Sequence, residues 1–169
     1  MDKLTRARVA LKLEQLDSKL MSFLANYQAR NPRERASSMY FAVFHAAEAL
    51  LYAKGIEATS HKAVASLLAL HFVRPGTLPR ETSAKFSALM AGRHDADYNE
   101  AIPFDTQDAR AAAATGSALL ADLLRALPED ADYLVEGEVE HAAPLAGGNG
   151  GVHAGDGGLA ASRRSHEEG

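Results

Sequence analysis

The strongest constraint on this chain is an apolar stripe near its start. Val9, Leu13, Leu16, Leu20, Phe23, Leu24 and Tyr27 recur at spacings of three and four. That period puts them on one face of a helix running from about Lys3 to Arg30. Asn31-Pro32 then ends the segment, because the residue before a proline is pushed out of the helical region. A second helix follows from about Glu34 to Lys54, with Ser37, Tyr40, Phe41, Phe44, Ala47 and Leu51 as its buried stripe and Gly55 as its stop.

The same reading extends along the chain. Ser60 offers an N-cap to a third helix, His61 to about Phe72, with Val64, Leu67, Leu68 and His71 inward. After the turn residues Arg74-Pro75-Gly76, a fourth helix is expected from Pro79 to Asn99, carrying Phe86, Leu89, Met90, Arg93 and Asp97 on one face. Beyond the Ile102-Pro103-Phe104 linker, Asp105 or Thr106 can cap a fifth helix that ends near Leu127. Its face is Ala112, Leu119, Leu120, Leu123, Leu124 and Leu127, and Gly116 in its middle marks a close helix contact. No segment alternates with period two between hairpin turns. The expected fold is all-α: an antiparallel four- to five-helix bundle over residues 1–128.

Residues 129–169 follow a different rule. They hold nine of the 13 glycines and nine acidic residues against Arg163 and Arg164, a net charge of −7 that leaves +3 on the part before them. The run from Pro144 to Gly158 cannot bury enough surface to offset its ordering entropy, so a disordered tail is expected. His141, His153 and His166 are scattered within it without metal-ligand spacing. The chain has no cysteine, which removes disulfides, thiolate nucleophiles and Cys-based zinc sites. No apolar run approaches the ~18 residues of a membrane span. A cytoplasmic protein without cofactor or metal is the expectation.

Chemistry concentrates in Arg93-His94-Asp95-Ala96-Asp97-Tyr98. Arg93 lies in register with Phe86, Leu89 and Met90, and Asp97 one turn later can pair with it. A guanidinium on an apolar stripe must find a partner or open into a cleft. His94 and Tyr98 form a second pair four residues apart. On the second helix His45 has Glu48 three residues on, a spacing that suits a bonded, partly buried histidine. His61 reads as a first-turn helix residue and His71 as core.

The segment Arg35-Ala36-Ser37-Ser38-Met39-Tyr40-Phe41-Ala42-Val43-Phe44-His45-Ala46-Ala47-Glu48-Ala49-Leu50-Leu51 resembles the second helix of HEPN domains (higher eukaryotes and prokaryotes nucleotide-binding). Gly55-Ile56-Glu57, Ser60-His61-Lys62-Ala63-Val64 and Arg93 through Tyr98 match the same family in the same order. The resemblance covers about Leu11 to Leu127. It implies a dimerising helix bundle, often a metal-independent ribonuclease of toxin–antitoxin or defence systems, sometimes the partner of a nucleotidyltransferase. The family motif is an arginine, a polar residue after it, and a histidine four to six positions beyond the arginine, with two such motifs meeting in the dimer. By resemblance Arg93 takes the arginine position, His94 the polar one, and Tyr98 stands where the histidine would be. Arg93, His94, Asp97 and Tyr98 are thus the expected catalytic set, and Arg93, His45 and Tyr40 the expected nucleotide or RNA contacts. A phenol with a pKa of about 10 is a poor substitute for an imidazole as a base at neutral pH.

Overall fold

The computed structural model describes residues 1–99 and 104–131. The tail expected beyond residue 129, apart from a short turn at its start, and most of the linker at 100–103 lie outside the described residues. Five α-helices follow in order: α1 (Lys3–Gln28), α2 (Pro32–Ala53), α3 (His61–Leu68), α4 (Thr82–Tyr98) and α5 (Thr106–Arg125). No strand occurs among the described residues, and the all-α expectation holds.

Local signals set most ends. The Asp2 side chain accepts the Thr5 N–H, and Ser60 accepts that of Ala63. Asp105 and Asp108 form a reciprocal capping box on α5. Arg30, at φ 56°, turns the chain out of α1. Asn31 then caps α2, with Pro32 in its first turn, two residues earlier than expected. Gly55, at φ 71°, closes α2 while the Ile56 N–H returns to the Leu51 carbonyl.

α2 is the central helix. Arg35 meets Tyr27, and Glu48 meets Lys12, so α1 and α2 are antiparallel. Arg33 meets the end of α4, and Tyr40 meets Phe86, so α4 is antiparallel to α2 as well. α5 runs in the same direction as α2: Phe104 stands by Arg33, and Gly116 lies against Met39 and Val43. A Cβ at Gly116 would collide with the Met39 side chain, so the expected close contact is present. Past α5, a 3-10 turn at Glu129–Ala131 buries Ala131 in the core, three residues beyond the expected boundary.

Several sequence expectations need correction. Leu24, Tyr27 and Leu124 are exposed, because burial on α1 is confined to Val9, Leu13 and Leu16 and on α5 to Ala109, Gly116, Leu119, Leu120 and Leu123. Phe41 is only partly buried: α2 is enclosed on almost every side, and its one open strip runs through Phe41, His45 and Glu48. Residues Ala69–Val73 widen into a π-helical turn, and the shifted register buries Phe72 in place of His71. Pro79 belongs to a turn closed by the Thr82 N–H on its carbonyl, so α4 starts three residues later than expected.

Candidate functional site

Arg33 on α2 fixes the end of α4 that carries the expected motif. Its guanidinium donates to the carbonyls of Asp95 (3.2 Å), Ala96 (2.8 Å) and Asn99 (3.4 Å). These include last-turn acceptors that a helix leaves unsatisfied, and a cation there also suits the helix dipole.

Arg93 is held from three sides. Its Nε lies 2.6 Å from Asp97 Oδ2, while the Nε–H direction misses hydrogen-bond geometry, so the contact is ionic. A terminal nitrogen donates a long 3.4 Å bond to the Tyr98 hydroxyl. The guanidinium carbon sits 5.1 Å from the Phe41 ring centre and 5.3 Å from that of Tyr98. Ser37 Oγ reaches the same Asp97 oxygen at 3.5 Å. The expected Arg93–Asp97 pair is therefore present, and it leaves the face of the guanidinium on aromatic surface. His94 and Tyr98 also meet, with ring centres 5.3 Å apart. Tyr98 is 66% exposed.

Phe41 is the ring on which the site converges. Lys19 of α1 places Nζ 5.2 Å from its centre, and no carboxylate pairs with Lys19 among the described residues. The imidazoles of His45 and His61 lie 6.4 and 5.9 Å from the same centre. His45 Nδ1 bonds Glu48 at 3.0 Å, and Lys12 pairs with the same carboxylate oxygen at 2.8 Å. Burial alone would raise the Glu48 carboxyl, but the bonds and charges of His45 and Lys12 outweigh it and hold its pKa below the ordinary value.

On the other side of Arg93 a groove of about 470 Å³ is lined by His61, Ser87, Met90, Ala91, Arg93, His94 and Asp95. His61 was not among the residues expected here. Its ring stacks on Phe44 with centres 4.2 Å apart, and its Nδ1 lies 2.6 Å from the Tyr40 hydroxyl. Burial first, and then the Arg93 charge, push its pKa below the ordinary histidine value, with His45 adding to the depression and Glu48 opposing it. Tyr40 was expected to contact nucleotide or RNA, but it is fully buried and can act only through His61. A second hollow of about 310 Å³, between α4 and α5, has Asp95 and Asp108 in its wall and no cation, which disfavours an anionic ligand.

The structure thus joins Arg93, His94, Asp97, Tyr98 and His45 and adds Lys19, Phe41 and His61. Lys12 and Lys19, seven residues apart on the edge of the first apolar stripe, carry a readable signal of a basic row. His61 has no comparable signal, because what brings it to Arg93 is the return of the chain between α2 and α3.

Comparisons with known proteins agree with this architecture. A UPF0332 protein of Thermotoga maritima is 28% identical over 72 residues, 43% of this chain and 54% of that protein. A UPF0332 protein of Pyrococcus horikoshii is 44% identical over 48 residues, 28% of this chain and 34% of that protein. The chain thus spans about half and a third of the lengths of these relatives. A family profile described as HEPN domain matches residues 13–126, a span that holds the later part of α1 and all of α2, α3, α4 and α5. The chain belongs to the HEPN domain family, a superfamily of nucleotide-binding or ribonuclease-like domains.

Proposed function

We propose that this chain is an RNA-directed effector of a toxin–antitoxin or defence-type system that binds RNA phosphates beside Arg93. The observation that carries the reading is the convergence of Lys19 and Arg93, from two different helices, on the partly exposed ring of Phe41. Cations flanking an accessible aromatic ring suit single-stranded RNA, whose phosphates and bases they meet together. The net charge of +3 before residue 129 favours the same partner. A homodimer that faces two such surfaces across one cleft completes the reading, and metal-independent strand cleavage is the activity it would support.

The test is direct. Purified protein should bind a labelled single-stranded oligoribonucleotide with an affinity that falls with salt and falls further in Arg93→Ala and Lys19→Ala. Incubation with RNA in excess chelator should give products that Arg93→Ala does not give. Intact RNA together with salt-independent or absent binding would overturn the reading.

A second reading has one observation in its favour. Tyr98 is 66% exposed, with its hydroxyl at the Arg93 guanidinium. In that reading the chain is the non-catalytic partner of a nucleotidyltransferase. The phenol oxygen attacks the α-phosphorus of ATP, pyrophosphate leaves, and the phenolic proton passes to a base on the transferase. Co-expression with such an enzyme should then add one adenylyl mass to the peptide bearing Tyr98, and Tyr98→Phe should prevent it.

A further inference from the structure

The groove beside Arg93 contains a second group built to hold phosphate. Ser60 caps α3 and places His61 in its first turn. The imidazole lies nearly parallel to both Phe44 (16°) and Tyr40 (15°), so its plane is fixed. Tyr40 is fully buried, and among the described residues its hydroxyl has one hydrogen-bond partner, His61 Nδ1 at 2.6 Å. A buried O–H that did not donate would leave an unsatisfied donor, at a cost of about 1–3 kcal/mol. The phenol therefore donates and Nδ1 accepts. A neutral imidazole that accepts at Nδ1 carries its proton on Nε2. Nε2 has no partner among the described residues, and His61 lines the groove together with Arg93.

We propose that His61 is a phosphate-binding residue, a neutral imidazole whose Nε2–H donates to a phosphate oxygen held by Arg93. Tyr40 is the positioning residue that sets this tautomer. The proposal rests on the reading above that this surface takes RNA phosphate. The charged and titratable groups around the ring agree with a neutral form. Arg93 from α4 and His45 from α2 disfavour a second proton, while Glu48 from α2 opposes them more weakly. His94 and Asp95 border the same groove. A second proton would also sit on Nδ1, against the Tyr40 O–H. The assignment has a consequence for catalysis: with its proton on Nε2, His61 presents no lone pair to the groove and is not the base that takes a 2′-hydroxyl proton. It is a donor that stays in place as pH rises.

Two measurements test this. In the free protein, long-range ¹H–¹⁵N correlation of the His61 ring should show Nε2 protonated and Nδ1 bare at pH 7.5, and Tyr40→Phe should give a mixture of tautomers. With a fluorescein-labelled single-stranded oligoribonucleotide, His61→Ala should weaken binding roughly tenfold, the scale of one hydrogen bond to a charged group. His61→Gln, whose amide N–H₂ extends toward the Nε2 position, should restore most of it, while His61→Asn should not. Wild-type affinity should hold between pH 7 and 8.5. A proton found on Nδ1 overturns the proposal. So does RNA binding that is lost in Arg93→Ala and intact in His61→Ala, which leaves the reading of the surface standing. No binding by the wild type removes both.

Discussion

The two sides of α2 solve different problems with one helix. Toward α5 it presents Met39 and Val43 to Gly116, a contact so close that a methyl group at position 116 has no room. Toward α3 and α4 it presents Tyr40 and Phe44 to His61, Phe86 and Arg93, and here rings meet polar groups with defined partners. The α5 contact at Gly116 is held by shape, between apolar side chains and a bare backbone. The α3–α4 side is held by shape and also fixes the direction of protons and charges. The difference predicts that damage on the first side is read as lost stability, and damage on the second mainly as lost ligand binding.

The largest effect belongs to the α5 side. Leu119 is fully buried, and Leu119→Ala should cost about 3 kcal/mol, the lost transfer energy plus a cavity. Gly116→Val should cost about 1–3 kcal/mol through overpacking against Met39. Urea unfolding measures both, and the folded fraction of each variant should bind RNA with wild-type affinity. Weakened binding per folded molecule would break the separation of the two sides.

Arg93→Ala should show the opposite pattern. Its pair with Asp97 is partly exposed, so screening limits the stability loss to under about 1 kcal/mol. RNA affinity should fall roughly tenfold or more, because the guanidinium is a charged donor to phosphate. A Tm drop as large as that of Leu119→Ala, with binding unchanged, would make Arg93 a structural clamp.

The sequence exposed the stability side far better than the binding side, for a physical reason. Helix positions, the caps at Ser60 and Asp105, and the Gly116 contact follow from local chemistry and a period of 3.6. The Arg93–Asp97 and His45–Glu48 pairs are one turn apart on single helices, so they were legible too. The exposure of Phe41 is not legible, because α2 is buried around most of its circumference, which blurs the period that marks an inner face. The spacing of Lys12 and Lys19 marks a basic row but not the ring it meets, and His61 and the true place of Tyr40 depend on side chains from different helices meeting, which no local spacing encodes. The π-turn after α3 inserted a shift in register that put Phe72 where His71 was expected.

Two arginines differ in the same way. Arg35 is 4% exposed, and its guanidinium has no ion pair or hydrogen bond among the described residues. It lies 4.4 Å from the Tyr27 ring centre and 5.9 Å from that of Phe23. Aromatic faces hold this cation, while Arg93 has both faces and an anion. Arg35 works through its stem and its flat surface, so Arg35→Met should change stability by less than about 1 kcal/mol in either direction. Arg35→Ala should cost about 2 kcal/mol from the cavity it leaves. Neither should alter RNA affinity, and chemical denaturation beside a binding titration decides the point.

The smallest effect is a pH dependence confined to the α3–α4 side. The His61 pKa is depressed in the folded chain, so the unfolded chain binds its proton more readily. The His61 contribution to stability is therefore complete above its unfolded pKa of about 6.5 and is lost as pH falls through the lower folded value. Tyr40 works at the other end. Burial, aided by Glu48 and opposed by Arg93, pushes its pKa up to about 12, so its contribution is complete below about pH 10 and is lost as pH rises towards 12. Thermal unfolding should show Tm falling below pH 6.5 and again above pH 10. His61→Gln should flatten the acid limb in the range above pH 4.5, below which Glu48 begins to contribute in every variant. Tyr40→Phe should flatten the alkaline limb. Gly116→Val should lower the whole curve and keep both limbs, because nothing it touches titrates. An acid limb unchanged in His61→Gln would move the titrating group off this side of α2.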